Sequence, residues 1–304
     1  MIQQFNSLLE LLEVFPDEQT CIDHLRAIRW RDGEFCPYCA SNLIYHFSDR
    51  KTHKCGNCKA RFSIKVGTIF HDTKLPLRKW FIAIWLITTH PKGIASVVLA
   101  KDLKITQKTA WFVLHRLRHA ARTKSFNMLL DGTVETDETY VGGKEKNKHA
   151  NKRRPGSQGG SGKAIVLGMI QREGELRAQV VTDMRARTVQ KVIRENVSKG
   201  ATIMTDEHLA FSGLNDNYYH HRVNHSAGEY VRHFILHTNT IESVWALLKR
   251  QIIGIHHWVS PKHLPKYVDE MVWRLNRRDM KAGDRACDMF GCIEGRLTYK
   301  VLIA

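Results

Sequence analysis

The pattern of apolar and polar positions changes along the chain and divides it into blocks. Residues 1–75 combine an N-terminal helical segment with short alternating segments, and residues 76–125 show helical periods. Residues 130–280 alternate between strand and helix periods, and residues 281–304 form a C-terminal tail without a functional pattern. The sequence therefore predicts a multidomain α+β protein.

The helical block begins with a segment over 77–89 that is apolar almost all round, which indicates a buried helix. Helical segments follow over 94–103 and 106–118, and the second begins at a good N-cap residue. Two short helices joined by a tight turn resemble a helix-turn-helix, in which the start of the second helix contacts base edges. Gln107 and Lys108 are then candidate DNA contacts, and an ordinary helical hairpin is the alternative.

The block over 130–280 has the element order of a ribonuclease-H-like α/β domain with a mixed sheet. In that fold an acid on the first strand, one at the end of the fourth and one on a later helix meet at one edge of the sheet. The predicted elements are three hairpin-like strands, a helix, a strand and a later helix, over 133–141, 164–170, 175–181, 188–197, 201–207 and 238–250.

Three acids fall at the required places. Asp137 lies near the middle of the first strand, Asp206 lies in the strand over 201–207, and Glu242 lies on the later helix. Three carboxylates brought together repel strongly unless a divalent cation neutralises them, and oxygen ligands suit Mg²⁺, or Mn²⁺ in its place. Two such ions about 4 Å apart can activate a water or a 3′-hydroxyl and stabilise the leaving oxygen of a phosphodiester. Each acid alone is weak evidence, whereas the ordered set indicates a catalytic metal site.

Neighbouring residues extend this candidate site. Lys249 follows Glu242 by two helical turns and shares its helix face, so it could hold a phosphate. Glu135 shares a strand face with Asp137 and could approach the metals, whereas the alternation of a strand predicts that Glu138 faces away.

Four of the seven cysteines form two Cys-x2-Cys pairs separated by fifteen residues. The two-residue gap lets both thiolates of a pair reach one tetrahedral ion, and four thiolates leave no open position for chemistry. The spacing therefore predicts a zinc ribbon with a structural Zn²⁺, and two disulfides or four free thiols are the alternative. The four ligands are Cys36, Cys39, Cys55 and Cys58.

The charge balance indicates a polyanionic partner. Lys and Arg number 47 against 30 Asp and Glu, a formal net charge of +17. The longest apolar run, over 80–87, is far shorter than the roughly 20 residues of a membrane span, and no secretory signal precedes the ribbon, so we expect a cytoplasmic protein.

A loop over 142–163, rich in Gly, Asn, Lys and Arg, is expected to lie on the DNA backbone. Its candidate phosphate contacts are Lys144, Lys146, Lys148, Lys152, Arg153 and Arg154.

Five stretches together resemble a known family: the cysteine pairs over 36–39 and 55–58, and the segments 134–144, 205–208 and 237–245. The Glu-x-Asp-Glu-x-Tyr-x-Gly-Gly-Lys and His-Thr-Asn-x-Ile-Glu runs are the specific ones. On these residues the chain resembles the zinc-ribbon DDE transposases of bacterial insertion sequences, in insertion sequence family 1595 and its ISXO2-like group. The resemblance spans residues 36 to about 258.

The resemblance implies DNA strand cleavage and transfer at the ends of the element, with Asp137, Asp206 and Glu242 as metal ligands. Some members of the family are described as having Asn at the third position, and Asn239 lies on nearly the same helix face as Glu242. The thirty-five residues between Asp206 and Glu242, and the register of Lys249, favour Glu242. Asn239 is then a supporting ligand or a DNA contact.

We therefore expect a transposase of the bacterial cytoplasm, associated with the nucleoid when it binds DNA. Its partners are double-stranded DNA, as terminal inverted repeats and as target, and further copies of itself, because two DNA ends must be processed together. A homodimer or a larger oligomer follows from the resemblance. The alternatives are a non-catalytic DNA-binding regulator derived from a transposase, which predicts a damaged acid set, and a nuclease of the same fold without strand transfer.

Overall fold

The computed structural model describes residues 4–122, 128–143, 147, 149–153, 160, 162–223 and 237–304. The chain forms two compact units, one of Met1–Lys124 with Asp279–Ala304 and one of Ser125–Arg278. The segment over 281–304, predicted as a tail, thus lies in the first unit.

The described helices and strands account for the predicted blocks. The helices are α1 (Leu8–Val14), α2 (Glu18–Arg29), α3 (Leu77–Thr89), α4 (Ser96–Asp102), α5 (Gln107–Arg122), α6 (Ala186–Asn196), α7 (Asn239–Arg250), α8 (Leu264–Leu275), α9 (Ala282–Phe290) and α10 (Tyr299–Ile303). The strands are β1 (Ile44–His46), β2 (Thr52–Cys55), β3 (Arg61–Ser63), β4 (Thr133–Val141), β5 (Ala164–Gln171), β6 (Leu176–Val181), β7 (Thr202–Thr205) and β8 (Tyr219–Arg222).

In the first unit, a small antiparallel sheet with the order β1-β2-β3 forms the ribbon. The helices pack through an aromatic core in which Phe15 lies against Phe5, Phe81 and Phe290. Helix α9 packs on α3, and its Gly283 lies against the Phe5 carbonyl so closely that a Cβ atom would overlap it. This close approach explains how the C-terminal segment joins the first unit.

Helices α4 and α5 pack against each other across a short turn, as a helix-turn-helix requires. The Thr106 hydroxyl accepts a hydrogen bond from the backbone N–H of Thr109 at 3.2 Å, so Thr106 caps α5 as its sequence position predicts.

The second unit is built on a five-stranded mixed sheet with the order β6-β5-β4-β7-β8. Strands β4, β5 and β6 pair antiparallel, whereas β7 is parallel to both β4 and β8. Three antiparallel strands, a helix and two further strands on the other side of the first strand form the ribonuclease-H-like arrangement that the element order predicts.

Helices cover both faces of this sheet. Leu167 and Met169 of β5 lie in one apolar core with residues of α6, whereas Val166 and Ile170 lie in a second core with residues of α7 and α8. The alternation along β5 therefore separates the two layers. It also explains why β5 is an almost continuous apolar run.

None of the helices in the described part of the chain has the length and apolar character that a membrane span requires.

Candidate active site

The first two acids meet because of the register between two parallel strands. Glu135 of β4 is paired with Met204 of β7. Two residues further on, the two strands reach Asp137 and Asp206, which brings these side chains to the same edge. Ligand oxygens of Asp137, Glu138 and Asp206 all lie within 4.8 Å of one another.

The expectation that Glu138 faces away from this site is wrong. The pairing of β7 with β4 ends at Glu135, so among the described strands none pairs with Glu138 on the β7 side. At this open edge the long glutamate side chain reaches Asp206, although strand alternation separates it from Asp137. Among the described groups, Glu138 Oε2 is buried without a hydrogen-bond partner.

The three acids show the electrostatic cost of their proximity. Burial, followed by the neighbouring Asp206 carboxylate, raises the pKa of Asp137 to about 6. Burial and then the charges of Asp206 and Asp137 raise the pKa of Glu138 to about 7. A divalent cation would relieve this repulsion and would give the unpartnered Glu138 oxygen a ligand. The group of Asp137, Glu138 and Asp206 is therefore suited to holding a divalent metal ion.

Trp245 of α7 orients the first acid. Its indole Nε1 donates a hydrogen bond to Asp137 Oδ2 at 2.9 Å, and the backbone N–H of Glu138 also donates to this carboxylate. Gly168 pairs with Asp137 across the sheet, and a Cβ atom there would lie only 2.5 Å from Cη2 of Trp245. The glycine thus provides the space through which the indole reaches the acid.

Helix α7 also carries the other predicted residues of the site. Glu242 is exposed and lies outside the close group of three acids, but its charge contributes to the raised pKa of Asp137. The Thr238 hydroxyl donates to Glu242 Oε1 at 3.1 Å. Asn239 is the first residue of α7, and Lys249 lies near its end; both are exposed.

Glu135 has a different environment from that of the close group of Asp137, Glu138 and Asp206. Its side chain is fully buried, and Oε2 accepts hydrogen bonds from the backbone N–H groups of Thr240 and Ile241 at 2.8 and 3.1 Å. These groups form the first turn of α7. The carboxylate is therefore directed at the start of the helix, whereas we expected that it could approach the metals.

The four ribbon cysteines converge on one point. Cys36 Sγ lies 3.7 Å from Cys58 Sγ, and Cys39 Sγ lies 3.5 Å from Cys55 Sγ. These distances are far longer than the roughly 2.05 Å of a disulfide bond. A tetrahedral zinc ion with bonds of about 2.3 Å holds its sulfur ligands about 3.8 Å apart. The four sulfurs therefore fit one zinc ion.

The predicted DNA contacts divide into described and undescribed residues. Gln107 is exposed at the start of α5 and donates to Ser96 Oγ at 2.9 Å, while the Lys108 ammonium lies 5.6 Å from the centre of the Tyr299 ring. Arg153 is exposed at the end of a short 3-10 turn over Ala150–Lys152. The remaining predicted contacts lie outside the described residues, in the case of Lys152 by its side chain only: Lys144, Lys146, Lys148, Lys152 and Arg154.

Comparison with known families gives two separate matches in the order that the sequence predicts. Residues 16–61 match the transposase zinc-ribbon domain of the family designated IS1595. Residues 129–276 match the ISXO2-like transposase domain of the same family. The first match contains all four ribbon cysteines, and the second contains the whole acidic group and α7.

A relative in Halobacterium salinarum, described as an uncharacterized protein in transposable element ISH50, is 27% identical over 274 residues, covering 84% of this chain and 90% of the relative. A pre-cleavage Mos1 transpososome shows 12% identity at a TM-score of 0.25, covering 64% of this chain and 73% of that chain. A Mos1 paired-end complex with the left transposon end shows 11% identity at a TM-score of 0.23, over 68% and 78%. Likeness at these TM-scores contributes nothing to the assignment, which depends on the two domain matches. By these two domains the chain belongs to the zinc-ribbon DDE transposases of insertion sequence family 1595, in the ISXO2-like group.

Proposed function

We propose that the protein catalyses Mg²⁺-dependent cleavage of double-stranded DNA at the ends of its element and transfers the freed 3′ ends to target DNA. The observation that supports this most directly is the close group of Asp137, Glu138 and Asp206 at the edge of the sheet within the transposase domain. A bound divalent ion would activate the attacking hydroxyl and stabilise the leaving oxygen of the phosphodiester.

The residues at this site would have different roles in the reaction. Asp137 and Asp206 would hold the ions, with Glu138 as a further ligand and Glu242 as the third acid of the family pattern. Trp245 fixes the orientation of the Asp137 carboxylate. Lys249, exposed on the same helix as Glu242, would hold a phosphate of the DNA beside the site.

Asn239 is the alternative to Glu242. Both side chains are exposed on α7, three residues apart. The thirty-five residues between Asp206 and Glu242, and the register of Lys249 on the same helix, support Glu242.

The first unit would supply most of the DNA binding. The ribbon, with a structural Zn²⁺ on its four cysteines, and the pair α4 and α5 would bind the terminal repeats. Gln107 and Lys108 would contact the DNA from the start of α5, and the basic loop over 142–163 would contact the backbone. Because two DNA ends must be processed together, we propose that a homodimer or a larger oligomer assembles on the DNA.

The test is a strand-transfer assay with purified protein, Mg²⁺ and a labelled duplex that carries the terminal repeat of the element. Wild type is compared with Glu242→Gln, Asn239→Ala and Glu138→Gln, and Glu195→Gln on α6 is the matched control because it neutralises an exposed acid away from β4 and α7. We expect joined product from wild type and the control, and none from Glu242→Gln. Joined product from Glu242→Gln but not from Asn239→Ala would transfer the third position to Asn239.

Two outcomes would replace the proposal. Tight, specific DNA binding without any product from wild type would favour a regulator. Cleavage of the duplex without joined product, even from pre-cleaved ends, would favour a nuclease.

A further inference from the structure

Glu135 has more hydrogen-bond partners than a simple buried acid needs. Its Oε2 accepts from the N–H groups of Thr240 and Ile241, and its Oε1 accepts from the Thr240 hydroxyl and from Arg172 Nε, both at 2.9 Å. His237 Nδ1 lies 3.2 Å from the same Oε1. Every one of these partners except Arg172 belongs to the start of α7 or to the residues immediately before it.

Helix α7 depends on this carboxylate for its N-terminal cap. A helix begins with N–H groups that have no partner within the helix, and a carboxylate there also interacts favourably with the helix dipole. Thr238, the N-cap residue, makes no capping hydrogen bond with its side chain, and its hydroxyl donates to Glu242 instead. The cap is therefore supplied from strand β4 and not from the local sequence.

Arg172 holds the same junction from the hairpin between β5 and β6. Its Nη2 donates to the His237 carbonyl at 3.0 Å, and its backbone N–H donates to the Thr133 carbonyl at 2.9 Å. Arg172 also balances the charge of the buried Glu135. The start of α7 is thus attached to the sheet by two charged groups.

The position of Glu135 on β4 gives this attachment a consequence for the site. Glu135 and Asp137 are two residues apart and share the face of β4 on which α7 lies. Glu135 contacts the first turn of α7, and Asp137 contacts Trp245 further along the same helix. Two contacts along one strand fix the height and the rotation of α7 over β4, and Glu242 lies between them on the helix.

We propose that Glu135 is a positioning residue for strand transfer: by capping α7 from β4, it sets how Trp245 and Glu242 are presented to Asp137. The reaction that it serves is the one in the proposed function, so this inference rests on that function for its catalytic part. The structural part is the attachment of α7, and it can be tested without activity. If Glu135 only stabilised the fold, its substitution would lower the free energy of unfolding. The environment of Trp245 and the reaction rate of the folded protein would then stay unchanged.

The decisive variant is Glu135→Gln, which keeps the shape of the side chain but removes its charge and one acceptor. Glu195→Gln on α6 is the matched control, since it neutralises an exposed acid that pairs with Lys191 at 3.9 Å. Thr240→Val is a milder variant, because it removes only the hydroxyl that donates to Glu135. If Glu135→Gln does not fold, the same measurements are made on Thr240→Val.

Three quantities are measured: the rate of joined-product formation at saturating DNA and metal, the dissociation constant for the terminal repeat, and the ¹H–¹⁵N resonance of the Trp245 indole, assigned by its loss in Trp245→Phe. We expect Glu135→Gln to shift the Trp245 resonance and to lower the rate at least about tenfold, with DNA affinity within about twofold of wild type. Thr240→Val should shift the Trp245 resonance in the same direction but by less. Glu195→Gln should change neither the resonance nor the rate.

An unmoved Trp245 resonance in a folded variant, or a rate within about twofold of wild type, would overturn the positioning role. Absence of joined product from wild type would count against the proposed function instead. In that case the Trp245 resonance still decides whether Glu135 holds α7 in place.

Discussion

Gly168→Ala should damage the site although residue 168 has no functional group. Gly168 lies opposite Asp137 on the neighbouring strand β5. A Cβ atom there would lie 2.5 Å from Cη2 and 2.6 Å from Cζ2 of Trp245. The φ angle of Gly168 is not in the left-handed region, so alanine can adopt the backbone conformation. The effect therefore comes from side-chain contacts, mainly with Trp245 and, at 3.0 Å, with Cδ1 of Ile241.

The size of the effect follows from these distances. Non-bonded carbon atoms prefer a separation of about 3.5–4.0 Å, so the indole must move by about 1 Å. Its hydrogen bond to Asp137 is 2.9 Å long and would be lost by such a shift, because N–H···O bonds rarely exceed about 3.2 Å. Overpacking of this kind costs about 1–3 kcal/mol of unfolding free energy. Because Asp137 also loses its orientation, we expect joined product to form about tenfold or more slowly.

The assay is a double-mutant cycle of Gly168→Ala and Trp245→Phe, with the free energy of unfolding measured by denaturant titration and the strand-transfer rate measured in parallel. Phenylalanine lacks the Cη2 and Cζ2 atoms, so Gly168→Ala should cost less in that background, where the 3.0 Å contact with Cδ1 of Ile241 remains. Gly254→Ala is the control, because nothing lies within 4 Å of its Cβ position. An equal cost of Gly168→Ala in both backgrounds would refute the steric explanation.

Further predictions concern the metals and protons. The pKa values of Asp137 and Glu138 are raised, so the metal-free folded state binds protons more tightly than the unfolded chain does. The contribution of these two groups to the free energy of unfolding therefore falls as pH rises from about 4 to 7. The melting temperature of metal-free Glu138→Gln should therefore exceed that of wild type increasingly over this range; a constant difference would contradict the assignment. Mn²⁺ should stabilise wild type more than Glu138→Gln at pH 8, and equal stabilisation by thermal shift would exclude Glu138 as a ligand. Cys55→Ser should release zinc and abolish binding of the terminal repeat, as metal analysis and a gel-shift titration would show; retained binding without zinc would refute this.

The features that sequence could predict are those encoded by local spacing. The two Cys-x2-Cys pairs define a zinc site because two close thiolates can reach one ion without any help from the rest of the chain. The order of strand and helix periods likewise predicts the sheet of the second unit, since few topologies accommodate that order. The match to a transposase zinc-ribbon domain confirms the ribbon, and the five-stranded sheet of the structure confirms the predicted element order.

Other features depend on contacts between distant segments. Strand β2 is short and includes Cys55, and β8 is a polar segment of four residues, so neither shows a clear alternation of apolar and polar residue types in the sequence. Helix α9 joins the first unit because Gly283 allows close approach to the Phe5 carbonyl, a contact that no local pattern encodes. The role of Glu138 depends on where the pairing of β7 ends, which is set by another strand.

The pair Glu135 and Asp137 shows why residue type and strand face are insufficient to assign a metal ligand. Both are acids on the same face of β4, and by sequence both could contact the ions. In the structure the first turn of α7 directs two backbone N–H groups at Glu135, and Arg172 donates to it as well. The donors to Asp137 are the Trp245 indole and the backbone N–H of Glu138. A carboxylate whose oxygens are already occupied by N–H donors and a guanidinium would have to give up those partners to bind a cation. The position of a helix that begins about a hundred residues later thus determines that Glu135 holds the helix start, a role that no local pattern around Glu135 predicts.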